Sequence, residues 1–567
     1  MDSKISRATG TQKSAMPNLP AKRLAERMRE KSKLIDTKHR IYHLPVIQKT
    51  KLKGDAKIAR CYIGKRPSGK PPLEKVLMVV GATGAGKSTL INGIVNYLFG
   101  VRWEDDFRFK MIVEQPGTQA VSVTQWITAY TIYHQEGSPV PYTLTIIDTP
   151  GFGDTGGLER DKIITAQIKE FFSTPVSAGG IDQLDGIGFV TQAALARLTH
   201  TQRYIFDSIL ATFGKDIGSN IFMMVTFADG KKPPVVDAIK AAEIPHRKYF
   251  KFNNSALFPE IACDDQDEEE GGFDEMFWKM GTNSFATFFK NFKLVESRSL
   301  TLTREVLEER HRLETTVNGL QPQITAGLSK IEELQQEERV LKEHEKDILT
   351  NEDFTYPVNV TKQRKIDLSS GHYVTNCLNC NHTCHPSCAY ADDRDKYKCS
   401  AMDGGGYYNA KCTVCPGHCG WQRHVNNPYS FELYEETETR TSEELKQRYF
   451  KAMEGKSKVE GMIGNLKSHL DHVDHLVKAM IHQVHTSLER LDQIALKPNP
   501  LSEVEYIDLM IESEKQELKP GWNQRVQYLQ GARKQAEITK GIRNTPGHVA
   551  ETKSMWDSIK GWWNKQY

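Results

Sequence analysis

Apolar positions along this chain follow three rhythms, and each predicts a different kind of element. In the first half, Val76–Val80 and Ile221–Val225 are short, unbroken apolar runs of strand length, Tyr142–Ile147 is a third mainly apolar run with threonines at 143 and 145, and the first leads into a helical stretch at Thr89–Leu98. Buried strands alternating with helices over residues 75–295 predict an α/β domain, with a mainly parallel sheet flanked by helices. Beyond 295 the spacing lengthens. Val306, Leu313, Leu320, Leu334, Leu341 and Ile348 recur at seven-residue steps, with Val317, Ile324 and Ile331 as the partner row, which predicts a coiled-coil or bundle arm over 296–349. Gly319, Pro322 and Gly327 interrupt the seam, so a kink or break is expected near Pro322. A second helical region is predicted from Ser442 to Glu514, broken around Pro498–Pro500, and a third from Trp522 to Ile542. The first arm either pairs with a second copy or folds back on the second region as an antiparallel bundle. The hairpin-like segment between them favours folding back.

Between the first strand and its helix lies Gly81-Ala82-Thr83-Gly84-Ala85-Gly86-Lys87-Ser88, followed by Thr89. Glycines at these positions let consecutive backbone N–H groups turn inward around phosphates. Lys87 can reach the β and γ oxygens, and Ser88 offers a hydroxyl to Mg²⁺. The strand–loop–helix setting makes the fold class an α/β P-loop NTPase. The second strand ends in Asp148-Thr149-Pro150-Gly151, which predicts Asp148 as a water-mediated Mg²⁺ ligand and the Gly151 N–H as a γ-phosphate donor. Thr118, Ser122 and Thr124 lie upstream, where a switch threonine closes over Mg²⁺; Thr124 is the candidate. The third strand leads to Thr226-Phe227-Ala228-Asp229. There Asp229 can accept two hydrogen bonds from a guanine edge, or cap the following turn. Phe227 stands where a lysine usually packs on the base, so an adenine nucleotide remains the competing choice. Asn253 and Asn254 complete the base-side candidates.

GATGAGKSTLIN at 81–92, IIDTPGFGDT at 146–155, Ala196-Arg197-Leu198-Thr199 and FNNSALF at 252–258 together resemble the GTPases of the septin and GIMAP-type group, which includes the chloroplast import-receptor GTPases. The resemblance covers about residues 75–295. It implies GTP/GDP and Mg²⁺ as cofactors and a G domain that pairs head to head. In that pair Arg197 would reach the nucleotide of the second copy; the plain alternative is a surface arginine in a local salt bridge. Phe152 follows Gly151 where other GTPases carry a water-positioning glutamine. Intrinsic hydrolysis is therefore expected to be slow, and a delivered arginine can supply about 10³–10⁵ in rate. Two functions compete on these residues: a slow GTPase activated by dimerisation, with Lys87, Arg197 and Thr124 in catalytic roles, and a nucleotide-dependent scaffold with little turnover.

Of ten cysteines, eight fall between 377 and 419. They run Cys377-x₂-Cys380-x₃-Cys384-His385-x₂-Cys388, then Cys399, then Cys412-x₂-Cys415-x₃-Cys419, with His424 close behind. In a chain read as cytoplasmic, such density predicts zinc rather than disulfides. Ten N/S donors can furnish two tetrahedral sites, and spacing leaves open which ligands share an ion. His382 and His418 are weaker candidates, and His372 is a bystander. The three-residue gap after the first CxxC does not fit a RING. Cys61 and Cys263 read as ordinary thiols.

Charge adds little to this picture. With 567 residues and a formal net charge of +3, the chain has room for several domains and is not read as a nucleic-acid binder. Residues 1–75 hold 20 Lys/Arg against 6 Asp/Glu, and 1–74 reads as a basic, largely disordered segment. No run reaches the ~18–20 apolar residues of a membrane span. The expected division is 1–74, the G domain 75–295, the helical arm 296–349, a cysteine/histidine-rich insert 350–430, a helical region 431–543 offering surface for protein partners, and a tail 544–567. That tail sets Trp556, Ile559, Trp562 and Trp563 beside Lys553, Lys560 and Lys565. It either meets a membrane surface or packs on the chain's own helices.

Overall fold

The computed structural model describes residues 22–53, 57–66, 73–113, 125–153, 157–258, 268–344, 353–368, 373–385, 388, 392–399, 401–415, 417–444, 447, 482–497, 504–517 and 522–543. Thr118, Ser122 and Thr124, His372 and the aromatic tail lie outside them. Among the described residues no helix is long and apolar enough to cross a membrane.

Within the N-terminal segment, the described residues from 22 on correct the expectation of disorder, and residues 1–21 lie outside the described ones. Leu24–Lys31 is a helix (α1), and the strands β1 (Lys33–Asp36), β2 (Ile41–His43), β3 (Gln48–Lys53) and β4 (Ile58–Ile63) follow it. The P-loop strand is β5 (Glu74–Gly81), followed by α2 (Lys87–Leu98), β6 (Arg108–Lys110), β7 (Ile127–Ile132), β8 (Thr143–Asp148) and α3 (Gly157–Ser173). Next come β9 (Gln183–Leu184), β10 (Gly186–Gln192), α4 (His200–Leu210), β11 (Ile221–Thr226), α5 (Val235–Ala241), β12 (Lys248–Lys251) and α6 (Glu268–Lys293). The main sheet has the order β12-β11-β10-β5-β8-β7-β4-β3. Strands β12, β11, β10, β5 and β8 run parallel, β7 turns antiparallel to β8, and β4 and β3 carry the sheet past β7. Residues 48–63, placed before the expected domain start at 75, therefore belong to its sheet. The outermost strand β3 reads QKTKLK, and charge on an edge strand helps it resist pairing with other chains.

Helix α6 shows how the sheet's faces are covered. Phe285, Phe288, Phe289 and Phe292 recur at the i, i+3, i+4, i+7 spacing of one helix face and are buried. Phe288 meets Phe222 and Phe250 edge-on at centroid separations of 5.3 and 5.4 Å, an arrangement worth about 0.5–1.5 kcal/mol per pair beyond burial.

The two-residue strand β13 (Arg298–Ser299) pairs with β9, and α7 (Thr301–Glu343) follows as one helix. It passes Pro322 without the expected break. Proline removes one backbone hydrogen bond, and a helix of this length has many others and a packed face to hold it. The arm folds back within the chain. Residues 482–494 are helical and lie antiparallel to the start of α7: Arg490 pairs with Glu305, Ser487 donates to Glu309, and Val306 packs with Leu491, Ile494 and Ala495. The helices Val504–Glu517 and Trp522–Arg543 pack on each other and place Ile507, Ile511 and Leu529 in the G-domain core.

Between these arms stands a long antiparallel ribbon, β14 (Thr355–Asp367) with β18 (Tyr429–Thr441). The hairpin-like reading holds, but strand extends to Thr441 where the helical region was expected from 431. Tyr356, Val358 and Val360 alternate inward. Arg440 fixes the base of the ribbon to α7 through Glu333 and Glu337, at 2.9 and 2.6 Å. The ribbon carries at its far end a small sheet of order β16-β15-β17, made by β15 (Val374–Cys377), β16 (His382–His385) and β17 (His424–Asn427).

Candidate functional site

Strand β5 delivers the loop Gly81–Gly86 to the edge of the sheet, between β10 and β8. A Cβ on Gly81 would lie 2.4 Å from the Val190 carbonyl oxygen, so the close approach of β10 requires glycine there. Lys87, in the first turn of α2, is buried and donates from Nζ to the carbonyls of Gly81 (3.2 Å) and Ala82 (2.9 Å). Its ammonium thus spans the loop it would serve. Ser88 and Thr89 follow on the same turn, half-buried. Two side chains from neighbouring strands latch the loop. Thr226 Oγ1 donates to the Ala85 carbonyl at 2.7 Å, and Gln192 Nε2 to the Gly84 carbonyl at 3.1 Å. Gln192 was not foreseen, because an amide one strand away leaves no local signature.

Asp148 ends β8 and is buried, and Thr149 ties the turn down by donating to the Val79 carbonyl at 2.8 Å. Gly151 then passes so close to the loop that a Cβ would lie 2.8 Å from Thr83 N and 2.7 Å from Thr83 Cα. The next residue zips the two segments together: Thr83 N donates to the Phe152 carbonyl at 2.9 Å and Phe152 N to the Gly81 carbonyl at 3.2 Å. The phenyl ring of Phe152 is in the core. It cannot meet water at the site.

On the base side Phe227 is 61% exposed, with φ 52°, and its ring edge lies 3.7 Å from where a Cβ on Gly86 would be. An aromatic face therefore stands beside the N-terminus of α2. Asp229 is exposed; its Oδ1 accepts from Lys231 N at 2.8 Å, so the turn-capping role is realised on one oxygen. Lys251 supports the same turn through the carbonyls of Gly230 and Lys231. The base-side candidates Asn253 and Asn254 are both half-buried. Asn253 Oδ1 accepts from Ser255, and Asn254 Oδ1 faces α2 near Gly93.

Arg197 sits in the bend between β10 and α4, on the segment that Gln192 joins to the loop. It is exposed and forms no ion pair among the described residues. Thr199 and Gln202 close a reciprocal cap on α4 directly after it, which fixes the bend.

The cysteine-rich donors converge at the end of the ribbon. Cys377, Cys380, Cys415 and Cys419 form one group. Cys384, Cys412, Cys415 and His424 form a second, and His385, Cys388 and Cys399 a third; within each group the donor atoms lie within 4.8 Å of one another. Three groups, rather than two, thus emerge, and Cys415 belongs to both of the first two. Sulfur separations of 3.6 Å for Cys380–Cys419 and 3.5 Å for Cys388–Cys399 are far from the ~2.05 Å of a disulfide. The backbone N–H groups of Val414 and Cys415 point at Cys412 Sγ, and that of Cys419 at Cys415 Sγ. Such donors favour thiolate.

Neighbouring groups orient these donors. His424 Nδ1 meets the Gly420 carbonyl at 3.1 Å, which directs the buried Nε2 to the thiols; that nitrogen has no hydrogen-bond partner among the described residues. Burial opposes charge on His424, but the thiols of Cys377, Cys412 and Cys415 outweigh it and hold the imidazole up at about 12. Cys412, facing the Cys384 and Cys415 thiols, is held down at about 2. Their neighbours push the Cys377 and Cys384 thiols up, so protons are shared unevenly over the cluster; clustered sulfur and imidazole donors of this kind suit a tetrahedral dication such as Zn²⁺, which displaces those protons on binding. His418 contacts the Cys412 carbonyl through Nδ1, and His382 joins none of the three groups.

Sheet order, loop geometry and the position of Asp148 define the class: an α/β P-loop domain of the GTPase type. Residues 73–174 match the family model described as Septin. Among solved structures the chain is similar to Toc33 from Arabidopsis thaliana. The form with Mg²⁺ and GMPPNP is 16% identical, over 40% of this chain and 87% of that one, with a TM-score of 0.25. The form with GDP and Mg²⁺ is 16% identical, over 38% and 85%, with a TM-score of 0.24. A dimerisation-deficient mutant of the same protein is 17% identical, over 38% and 85%, also with a TM-score of 0.24. No curated protein matches.

Proposed function

We propose that the chain is a guanine-nucleotide switch or assembly protein of the septin and GIMAP-type kind, with slow hydrolysis raised when two G domains pair. The observation that carries this reading is the P-loop, complete in sequence and latched by Thr226, Gln192 and the Gly151–Phe152 turn. Backbone N–H groups of residues 81–88 and the Lys87 ammonium bind the β- and γ-phosphates. Ser88 and Asp148 hold Mg²⁺, which neutralises charge developing on those phosphates, and Thr124 is proposed to join them. Asp229 accepts from the guanine edge while Phe227 stacks on the ring, in place of a lysine stem.

Slow turnover follows from Phe152, whose ring is committed to the core. Arg197 supplies the missing charge in trans: it is exposed, fixed by the capped start of α4, and lies on the face that carries the loop. The cysteine-rich module is proposed to be structural, its donors holding zinc because so small a unit cannot be stabilised by burial alone. The folded-back helices offer the surface for protein partners.

The buried Phe152 also favours a second reading, a scaffold that binds GTP with little hydrolysis. GTP turnover per molecule, measured as protein concentration rises, separates the two. A rate that climbs with concentration, and stays flat for Arg197→Ala at unchanged nucleotide affinity, supports the paired GTPase. A negligible rate at every concentration supports the scaffold.

A further inference from the structure

His385, Cys388 and Cys399 gather three donors, with His385 Nδ1 3.3 Å from Cys399 Sγ and Cys388 Sγ 3.5 Å from it. A tetrahedral centre needs a fourth, and the module's other cysteine donors are already shared between the first two groups. The face of this third group is closed by α7, whose His311 stands with its ring centroid 5.6 Å from that of His385, the planes at 69°. Two imidazoles bound to one zinc at about 2.05 Å and a tetrahedral angle have centroids roughly 5.2 Å apart. The ring separation is thus close to that of two histidines on one ion; the His311 nitrogens lie outside the 4.8 Å grouping of the other three donors, so His311 must rotate toward them to join the centre.

We propose that His311 completes a third zinc centre, His311–His385–Cys388–Cys399, which clamps the cysteine-rich module to α7. The assignment rests on the zinc reading of the module and adds to it a ligand from outside. Its position gives the clamp a consequence. One helical turn beyond His311, Glu314 pairs with Lys162 of α3 at 2.5 Å. The neighbouring Asp161 accepts from Gly153 N at 2.9 Å, on the segment that follows Asp148 and Gly151. The module is thereby fastened one turn away from the helix that trails the nucleotide switch.

The test is zinc content of the full-length chain by elemental analysis, before and after brief exposure to a chelator, with a cobalt(II)-loaded sample for ligand identity. Wild type is expected to hold three ions. His311→Ala is expected to lose one of them to the chelator and keep two, as Cys399→Ser does. His311→Cys, which keeps a ligand at the position, is expected to retain three and to intensify the cobalt–thiolate charge-transfer band. Two ions in wild type would remove the third centre. Three ions held equally well by His311→Ala, or an unchanged band in His311→Cys, would remove His311 from it. No zinc in wild type would instead overturn the reading of the whole module.

Discussion

The ion pair Lys75–Asp185 lies at the opposite end of β5 from the P-loop, its side chains 6% and 3% exposed. Asp185 Oδ1 accepts from Lys75 Nζ at 2.7 Å and Ser297 Oγ at 2.6 Å, and Oδ2 from Val76 N at 2.7 Å. Lys75 Nζ also donates to the Val295 carbonyl at 2.6 Å. The cluster joins the nucleotide-carrying strand, the start of β10 and the chain leading into α7. Asp185→Ala would leave a buried ammonium with one carbonyl and orphan the Val76 N–H and the Ser297 hydroxyl. Removing one partner of a buried pair costs about 3–5 kcal/mol. At about 2–4 °C per kcal/mol for a domain of this size, that is a fall in Tm of about 6–20 °C. The double variant Lys75→Met/Asp185→Leu buries no unpaired charge and is expected to lose less than half as much. Thermal unfolding of the nucleotide-free chain, followed by fluorescence, reads both. A fall below about 3 °C for Asp185→Ala, or a double variant no better than the single one, would refute the assignment of this cluster as a stabilising buried network.

Other expectations concern separate parts of the chain. Phe227→Ala should weaken GTP and GDP alike, by roughly 5–150-fold if the ring stacks on the base, measured by fluorescent-nucleotide titration. Gly151→Ala should force the Gly151 and Thr83 backbones apart and break the hydrogen bonds of Phe152; we expect GTP affinity to fall more than GDP affinity, and equal losses would argue against γ-phosphate contact at this turn. Arg440→Met strands Glu333 and Glu337 beneath the ribbon at a cost of about 3–5 kcal/mol, and should expose the base of β14 and β18 to limited proteolysis while nucleotide binding persists. If the module holds zinc as proposed, acidification or chelation should release it, because the thiols must stay deprotonated to bind; proteolysis should then cut within 373–427 first.

The elements most legible in the sequence were those whose signal is local. The three apolar runs became β5, β8 and β11, and the glycine-rich loop sits between strand and helix as its spacing requires. Strands β3 and β4 were hidden by the basic composition of the N-terminal stretch, since an edge strand such as Gln48–Lys53 carries few apolar residues. The ribbon left a trace in the alternation Tyr356, Val358, Val360, but its outer half is exposed on both faces and loses the period. Cysteine spacing gave the candidate donors and not their grouping, because the small sheet β15–β17 sets which sulfurs meet. His311 left no signal: a single histidine on a heptad-patterned helix acquires meaning only when the module folds against it.

The most direct test of the account is the affinity of the full-length chain for guanine against adenine nucleotides, titrated with Mg²⁺, with Asp229→Ala alongside. Tight GTP and GDP binding that falls at least tenfold in the variant, with weak ATP binding throughout, is the predicted result. Preference for ATP, or a variant that binds guanine nucleotide as wild type does, would contradict the reading of the base site around Phe227 and Asp229.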